Sequence, residues 1–180
     1  FALITGLGYA FQNVEEKGTR SFFQKLVHGL YQQALARSSK AFFQNPDDLA
    51  LFKKLHLIDH STPAVIVNGS GVNVSDFNVM PLPQLSTGEV KISFLLIARL
   101  LGDKGIREFA AAAAIIKQSF PETEFNLVGW IDENPSAISQ QELDQWIAGN
   151  TLKYLGKLSD VRPAIAESSV YVLPSYREGT

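Results

Sequence analysis

From residue 91 onward, short apolar runs alternate with amphipathic stretches at regular spacing. The apolar runs predict buried strands, and the stretches with a helical period predict helices between them. In order, the prediction is strand 92–98, helix 104–118, strand 125–128, helix 140–148, strand 152–155, a short helix after Asp160 and strand 169–173. Strands that alternate with helices through short loops are typical of a parallel, doubly wound sheet. We therefore predict an α/β fold.

The first part of the chain has a similar but less regular order. Apolar runs predict strands at 1–5, 41–43 and 64–67, with a long helix from Ser21 and a second helix that begins at Asn45-Pro46. Large apolar side chains recur at helical spacing in the first helix and predict one buried face; they are Phe22, Leu26, Leu30 and Leu35. Residues 73–90 show no clear period, so we predict a domain linker or surface loop there.

Composition narrows the possible classes of protein. The chain has 180 residues, 46% hydrophobic and 19% charged, which is typical of one globular domain or parts of two. Its net charge is −2, and basic and acidic residues are nearly equal in number in each half of the chain. The sequence shows no basic stripe, so we expect no nucleic-acid partner. The lack of cysteine excludes disulfides and thiol catalysis. The first residue is Phe1 rather than Met, and we expect an internal fragment of a longer protein.

Two cations follow the strand predicted at 92–98. They are Arg99 and Lys104, in Arg99-Leu-Leu-Gly-Asp-Lys104, just before a predicted helix. In an open parallel sheet the strand ends face the crevice where ligands bind. Arginine holds phosphate with a planar fork, lysine acts as a compact charge, and a helix N-terminus adds backbone N–H donors. The alternative is an ordinary solvated loop with surface cations.

One carboxylate follows the last predicted strand. Glu178 lies just beyond Pro174 and Ser175, beside a glycine. A carboxylate at that strand end can accept hydrogen bonds from sugar hydroxyls, and together with the two cations it would suit a sugar nucleotide. The alternative is an acidic residue that favours the positive end of a following helix.

Other motifs of known chemistry do not occur. The sequence has no P-loop, no Gly-x-Ser-x-Gly elbow and no Asp-x-Asp metal motif, and its three histidines lack metal-ligand spacing. We therefore predict no metal site and no cofactor apart from a nucleotide-sugar donor. The Asn68–Gly71 stretch is interpreted as a permissive connection or hinge.

Five segments, taken in order, resemble glycosyltransferase family four, the glycosyl transferases of group 1. The most specific are the Arg…Asp-Lys-Gly and Pro-Ser-x-x-Glu-Gly blocks. The five are Ile4-Thr-Gly-Leu-Gly-Tyr-Ala-Phe11, Phe43-Gln-Asn-Pro-Asp-Asp48, Val72-Asn-Val-Ser-Asp-Phe77, Ala98-Arg-Leu-Leu-Gly-Asp-Lys-Gly105 and Leu173-Pro-Ser-Tyr-Arg-Glu-Gly179. The resemblance covers nearly the whole chain. It implies the GT-B fold, with Rossmann-like parallel sheets and helices on both faces, present here as a partial chain.

The resemblance also implies a domain division and roles for residues. Residues 1–66 would end the N-terminal, acceptor-side domain, and residues 67–180 would begin the donor-binding domain, truncated at its C-terminus. Arg99 and Lys104 would hold the donor diphosphate, and Glu178 would face the donor sugar. The backbone at Leu158 would meet the base, with Arg162 close enough to help. Arg99, Lys104 and Glu178 would form the catalytic group.

The activity implied is that of a retaining, metal-independent enzyme of bacterial surface-polysaccharide synthesis. It would move a hexosyl or N-acetylhexosaminyl group from a nucleotide-diphosphate donor, a UDP-sugar, to a lipid-linked or saccharide acceptor. We expect the whole protein to be cytoplasmic, with peripheral contact at the inner face of the membrane, and the isolated fragment to be inactive. Two alternatives remain, which are a sugar-nucleotide epimerase of the same fold and a non-catalytic module that binds sugar nucleotides.

Overall fold

The structure is a computed structural model that describes residues 1–7, 11, 19–59, 61–69, 71–176 and 178. It divides into two compact units. The first comprises Phe1–Val72 together with Glu178, and the second is Asn73–Arg177. The sequence-based boundary after residue 66 stays a prediction. The assignment of the two units to the acceptor and donor sides of a larger enzyme stays a prediction.

The first unit is a three-stranded parallel sheet with two helices. Its elements are β1 (Ala2–Ile4), α1 (Thr19–Ala36), β2 (Ala41–Phe43), α2 (Pro46–Lys54) and β3 (Ala64–Ile66). The strand order is β1-β2-β3, so both crossovers step in the same direction. Because such crossovers are right-handed, α1 and α2 lie on the same face of the sheet.

Burial along the strands agrees with this one-sided cover. Ile4, Ala41 and Phe43 are buried with residues of α1 and α2 in one apolar core. Leu3, Phe42 and Val65 lie in register across the three strands and point to the other face. On that face Leu3 is 56% exposed and Val65 is 37% exposed. The predicted cover of helices on both faces is therefore not present among the described residues of this unit.

The predicted buried face of α1 was wrong. Leu35 is buried, but Phe22, Leu26 and Leu30 are 73%, 53% and 59% exposed. Leu26 and Leu35 are nine positions apart, and nine residues make about two and a half helical turns, so these side chains lie on opposite sides. The side that packs on the core includes His28 and Tyr31, whose rings contact Phe11.

The second unit is a four-stranded parallel sheet with helices on both faces, as predicted. Its elements are β4 (Ser93–Ile97), α3 (Ile106–Ser119), β5 (Glu124–Val128), α4 (Gln140–Ala148), β6 (Lys153–Gly156), α5 (Arg162–Ala166) and β7 (Val170–Tyr171). Leu96 packs into the main core with residues of α3 and α4. Its neighbour Leu95 points the other way and packs with Ala164 of α5.

Helix α4 begins with a capping box, formed by Ser139 and Glu142 of its Ser-Gln-Gln-Glu sequence. The Ser139 hydroxyl accepts a hydrogen bond from the Glu142 amide, and the Glu142 carboxylate accepts one from the Ser139 amide at 3.0 Å. From α3, Arg107 Nε donates to the same carboxylate at 2.6 Å. The Arg107 guanidinium and the Ser139 donors lower the pKa of Glu142 to about 2.

Residues 73–90 are mostly irregular, which agrees with the predicted loop. They contain one 3-10 turn, Val74–Asp76, and a bridge between Gln84 and Val90. Among the described helices, none is long and apolar enough to cross a membrane.

Candidate functional site

The strand order of the second unit creates a crevice at one edge of its sheet. The order is β6-β5-β4-β7, so the chain first steps from β4 through β5 to β6 and then returns to the other side of β4 as β7. Connections on the two sides of β4 leave in opposite directions. In open α/β sheets, ligands bind outside the carboxyl ends of the strands at such a point of reversal. The residues that follow β4 and β7 therefore form the rim of the candidate site.

The loop after β4 carries both predicted cations. Arg99 lies two residues beyond the end of β4. Lys104 ends a 3-10 turn, Gly102–Lys104, and only Gly105 separates it from α3. Gly105 then adopts a left-handed conformation with φ of 70° and begins the helix. The helix therefore starts two residues later than predicted, and its N-terminal amides lie just beyond Lys104, where they can bind an anion.

The segment after β7 packs directly against this loop. A Cβ atom added at Gly105 would collide with the backbone of Pro174, so only glycine allows the close approach. The Tyr176 amide donates a hydrogen bond to the Asp103 carbonyl oxygen at 2.9 Å. The structure therefore brings the Lys104 loop together with Pro174–Tyr176, although about seventy residues separate them in sequence.

A side-chain contact that the sequence did not reveal strengthens this junction. The Tyr176 hydroxyl donates a short hydrogen bond to the Glu108 carboxylate, in the first turn of α3. This bond lowers the pKa of Glu108, and the same carboxylate raises the pKa of the Tyr176 hydroxyl. Spacing along the chain contains no signal for this pair, because Glu108 and Tyr176 are 68 positions apart.

Arg99 has an acidic neighbour from the next strand connection. Its Nη1 atom lies 3.2 Å from the Asp132 carboxylate, and the Arg99 side chain is half exposed. Asp132 follows β5, and its other oxygen accepts a hydrogen bond from the Asn134 amide at 2.9 Å. The carboxylate orients the guanidinium from the β5 side of the crevice. Asp132 is a member of the site that the sequence analysis missed, because it lacks a recognisable motif.

Leu158 and Arg162 lie farther along the sheet. Leu158 follows β6, two strands from β4, which corresponds to about 10 Å at ordinary strand spacing. Its side chain packs with Leu95, Val128 and Ala164 in the smaller core. Only its backbone is therefore available for the role predicted for it.

Arg162 begins α5 and is bound by its own neighbour. Its Nε and Nη2 atoms donate to the two Asp160 oxygens at 2.8 and 2.9 Å. The pair raises the pKa of Arg162 and lowers that of Asp160. Arg162 also lines a cavity of about 450 Å³ together with Phe77 and Met80 of the irregular segment. The hydrogen bonds of Arg162 are thus with Asp160, and its place at the nucleotide stays a prediction.

Glu178 is half-buried and groups with the first unit. It follows Tyr176 by two positions, and its predicted role at the donor sugar stays a prediction. Within the described part of the chain, no three His, Asp or Glu side chains are arranged to hold a metal ion.

Comparison with known proteins identifies relatives of both sequence and fold. The family model for "Glycosyl transferases group 1" matches residues 91–180, which contain all five predicted site residues. The chain is 28% identical over 191 residues to N,N'-diacetylbacillosaminyl-diphospho-undecaprenol alpha-1,3-N-acetylgalactosaminyltransferase of Campylobacter jejuni. That match covers 99% of this chain and 47% of the relative, so the chain spans about half the length of this protein.

Two solved structures show the fold. The pneumococcal O-GlcNAc transferase GtfA, in complex with UDP and GlcNAc, matches with a TM-score of 0.54 at 17% identity, over 84% of this chain and 28% of GtfA. TarM of S. aureus matches with a TM-score of 0.65 at 10% identity, over 94% of this chain and 30% of TarM. The predicted α/β, GT-B fold class is confirmed for this partial chain. With the family model matching half of its residues, the chain belongs to the glycosyl transferases of group 1.

Proposed function

We propose that the protein transfers an N-acetylhexosaminyl or hexosyl group from a UDP-sugar to a lipid-linked saccharide acceptor. The observation that carries the proposal is the junction at the strand reversal, where the loop with Arg99 and Lys104 packs on the segment that leads to Glu178. The acceptor class is suggested by the Campylobacter jejuni relative, whose name describes transfer of N-acetylgalactosamine to a diphospho-undecaprenol-linked sugar. UDP is suggested by GtfA, which was crystallised with UDP and GlcNAc.

In the proposed complex, the diphosphate lies over the N-terminus of α3. Arg99 contributes a planar set of N–H donors, with Asp132 on its far side, and Lys104 contributes a compact charge. The base extends toward β6 and the backbone at Leu158, with Arg162 nearby, since a bound nucleotide has to cross about two strand spacings from the diphosphate. The Glu178 carboxylate accepts hydrogen bonds from hydroxyls of the donor sugar.

The reaction we propose proceeds with retention and without a metal ion. The bond between sugar C1 and the β-phosphate oxygen breaks, and its electron pair remains on the departing UDP. The acceptor hydroxyl oxygen forms the new bond to C1 on the same face, and its proton passes to a phosphate oxygen of the departing UDP. Fixed cations aimed at the oxygen on which charge develops stabilise the transition state more than the ground state. Arg99 and Lys104 supply the charge neutralisation that a divalent ion provides in other enzymes.

We further propose that the enzyme works in the cytoplasm, at the inner face of the membrane. A nucleotide sugar is a water-soluble donor and a polyprenol-linked acceptor is anchored in a bilayer, so the enzyme has to meet both at a membrane surface. This placement follows from the proposed substrates.

The proposal is tested by removing each cation. Arg99→Ala and Lys104→Ala should each weaken UDP binding, measured by calorimetry, and reduce sugar transfer. A charged hydrogen bond contributes about 1.5–3 kcal/mol, which corresponds to a loss of roughly tenfold to a hundredfold. Lys117→Ala is the matched control, because Lys117 lies in the last turn of α3, at the end opposite Lys104.

Two results would contradict the proposal. One is unchanged UDP affinity and transfer in both variants, which would remove the two cations from the site. The other is interconversion of UDP-sugars in the absence of any acceptor, which would indicate an epimerase.

A further inference from the structure

Helix α1 is apolar on two sides. One side packs on the core of the first unit, and the other carries Phe22, Phe23, Leu26 and Leu30, which we name the α1 stripe. These four side chains are 73%, 51%, 53% and 59% exposed. Single exposed apolar residues are ordinary on protein surfaces, but four large ones within three turns of one helix form a continuous patch.

The α1 stripe points away from the sheet to which α1 belongs. Phe22 is nine positions before Tyr31, and Leu26 is nine positions before Leu35, so each lies about half a turn around the helix from a core residue. The face of the sheet that the described residues leave exposed, with Leu3 and Val65, is on the side of the strands opposite α1. A layer that covered that face would not reach the stripe.

Helix α1 and the residues that follow it carry charges of one sign. Residues 19–46 contain four basic residues and no acidic residue, although the chain as a whole carries a net charge of −2. The four are Arg20, Lys25, Arg37 and Lys40. A helix that presents large apolar side chains among basic ones is typical of elements that lie in the interface of an anionic bilayer.

We infer that the α1 stripe is the surface by which this protein docks on an anionic lipid bilayer. The phenylalanine and leucine side chains enter the boundary between headgroups and acyl chains, and the basic residues lie among the lipid phosphates. The inference rests on the proposed function in one respect, namely that a lipid-linked acceptor gives the enzyme a reason to be at a bilayer. Its test needs neither donor nor acceptor.

The test measures binding of the full-length protein to vesicles by sedimentation. Wild type should bind vesicles of phosphatidylcholine and phosphatidylglycerol more strongly than vesicles of phosphatidylcholine alone. The double variant Leu26→Ser/Leu30→Ser should bind the anionic vesicles at least about tenfold more weakly, because two inserted aliphatic side chains are lost. Ile115→Ser is the matched control, since Ile115 is equally exposed, at 67%, on α3 of the second unit.

The contribution of the basic side chains to vesicle binding is tested separately. Lys25→Gln keeps the apolar stripe intact and should weaken binding to the anionic vesicles about three- to tenfold, with little change for neutral ones. Added salt should reduce the binding of wild type in the same direction. Equal binding of the α1 stripe variant, the Lys25 variant and the Ile115 control would overturn the inference.

A single thiol reports whether another surface covers the stripe instead. The chain has no cysteine, so Leu26→Cys introduces one thiol into it. A water-soluble maleimide should label this thiol without vesicles, and anionic vesicles should protect it.

Failure to label without vesicles would show that protein covers the stripe. A concentration-dependent dimer that dissociates in the Leu26→Ser/Leu30→Ser variant would assign the stripe to a second copy. If the full-length wild-type protein binds anionic vesicles but transfers no sugar, that result counts against the proposed function alone.

Discussion

Tyr176 fixes the segment after β7 at two points. Its amide bonds the Asp103 carbonyl in the turn before α3, and its hydroxyl bonds Glu108 in the first turn of that helix. Tyr176 is therefore held against the loop that carries Lys104, and Glu178 follows two positions later in the sequence. Tyr176 is a positioning residue in the proposed site, since its hydroxyl bonds a helix side chain, whereas the contact with the sugar is proposed for Glu178.

The carboxylate itself is tested by Glu178→Gln, a nearly isosteric change that removes only the charge. We expect turnover to fall by about tenfold or more, because a charged hydrogen bond to a sugar hydroxyl is replaced by a neutral one. UDP affinity and Tm should stay close to wild type, since the proposed contact is with the sugar. Turnover, calorimetry and thermal melting are measured together, with Glu167→Gln as the exposed control on the far end of α5. Wild-type turnover in a folded Glu178→Gln protein would favour the helix-terminus interpretation.

Glu142 gives the second unit a pH-dependent contribution to stability. Its pKa is about 2 in the folded protein, against an ordinary 4.5. A carboxyl whose pKa is lowered on folding stabilises the protein above its unfolded pKa, and that contribution is lost as the pH falls through the folded value. Glu142→Gln should therefore lower the free energy of unfolding by about 1 kcal/mol at pH 7, a modest figure because the side chain is partly exposed.

The pH profile of this effect can be measured by chemical denaturation. The difference between wild type and Glu142→Gln should be constant above pH 4.5 and should shrink between 4.5 and about 2. Glu122→Gln, in the turn before β5, is the control for the loss of a surface carboxyl group. A difference that persisted unchanged at the acid end would contradict the assignment to the carboxylate.

At the scale of elements, the site depends on how closely two connections approach. The turn that ends in Gly105 lies against Pro174, and Gly129 after β5 lies against the Ala98 carbonyl, where a side chain would collide as well. These glycines let the connections after β4, β5 and β7 meet at one edge of the sheet.

The close approach at Gly105 is tested by comparison with a glycine in open space. Gly105 and Gly88 both have positive φ, of 70° and 85°, but only Gly105 has a neighbour within contact of an added Cβ. Gly88→Ala should cost about 1 kcal/mol of stability from backbone strain alone. Gly105→Ala should cost roughly 2 kcal/mol more, because Pro174 has to move, and UDP affinity should fall as well. Equal losses of stability in the two variants would show that the contact contributes nothing.

Local signals in the sequence predicted the elements of the second unit closely. The capping box at Ser139 located α4, and the apolar run before Arg99 located β4. Contacts between distant residues were missed, as with Asp132 beside Arg99 and Tyr176 on Glu108, because pairing across the sheet has no periodic signature. The orientation of α1 was missed for another reason. Apolar residues occur on two sides of this helix, and spacing alone does not tell which side meets the sheet.

At the scale of the whole molecule, the chain provides two α/β units in a family whose matched relative is about twice as long. The proposed phosphate-binding elements all belong to Asn73–Arg177. The proposed membrane-docking stripe belongs to Phe1–Val72. The two cations of the proposed function and the α1 stripe therefore lie in different units, so their variants can be tested independently of each other.

Metal independence is proposed for the complete enzyme and is tested on it. We expect the full-length protein to keep most of its transferase activity in excess EDTA, because Arg99 and Lys104 are proposed to neutralise the departing diphosphate. Activity is measured after extensive dialysis against the chelator, with and without added Mg²⁺ or Mn²⁺. Loss of activity in EDTA with recovery on adding either ion would reject this part of the mechanism.

The pairing of β7 with β4 has a consequence for synthesis of the protein. Phe94 of β4 is paired with Val170 of β7, 76 positions later, whereas β5 and β6 join the other side of β4 earlier in the chain. On a ribosome, the sheet β4-β5-β6 can assemble while the edge of β4 that will receive β7 stays unpaired. An unpaired strand edge is prone to aggregate. The nascent chain is therefore most prone to aggregation just before β7 pairs with β4 and completes the rim of the candidate site.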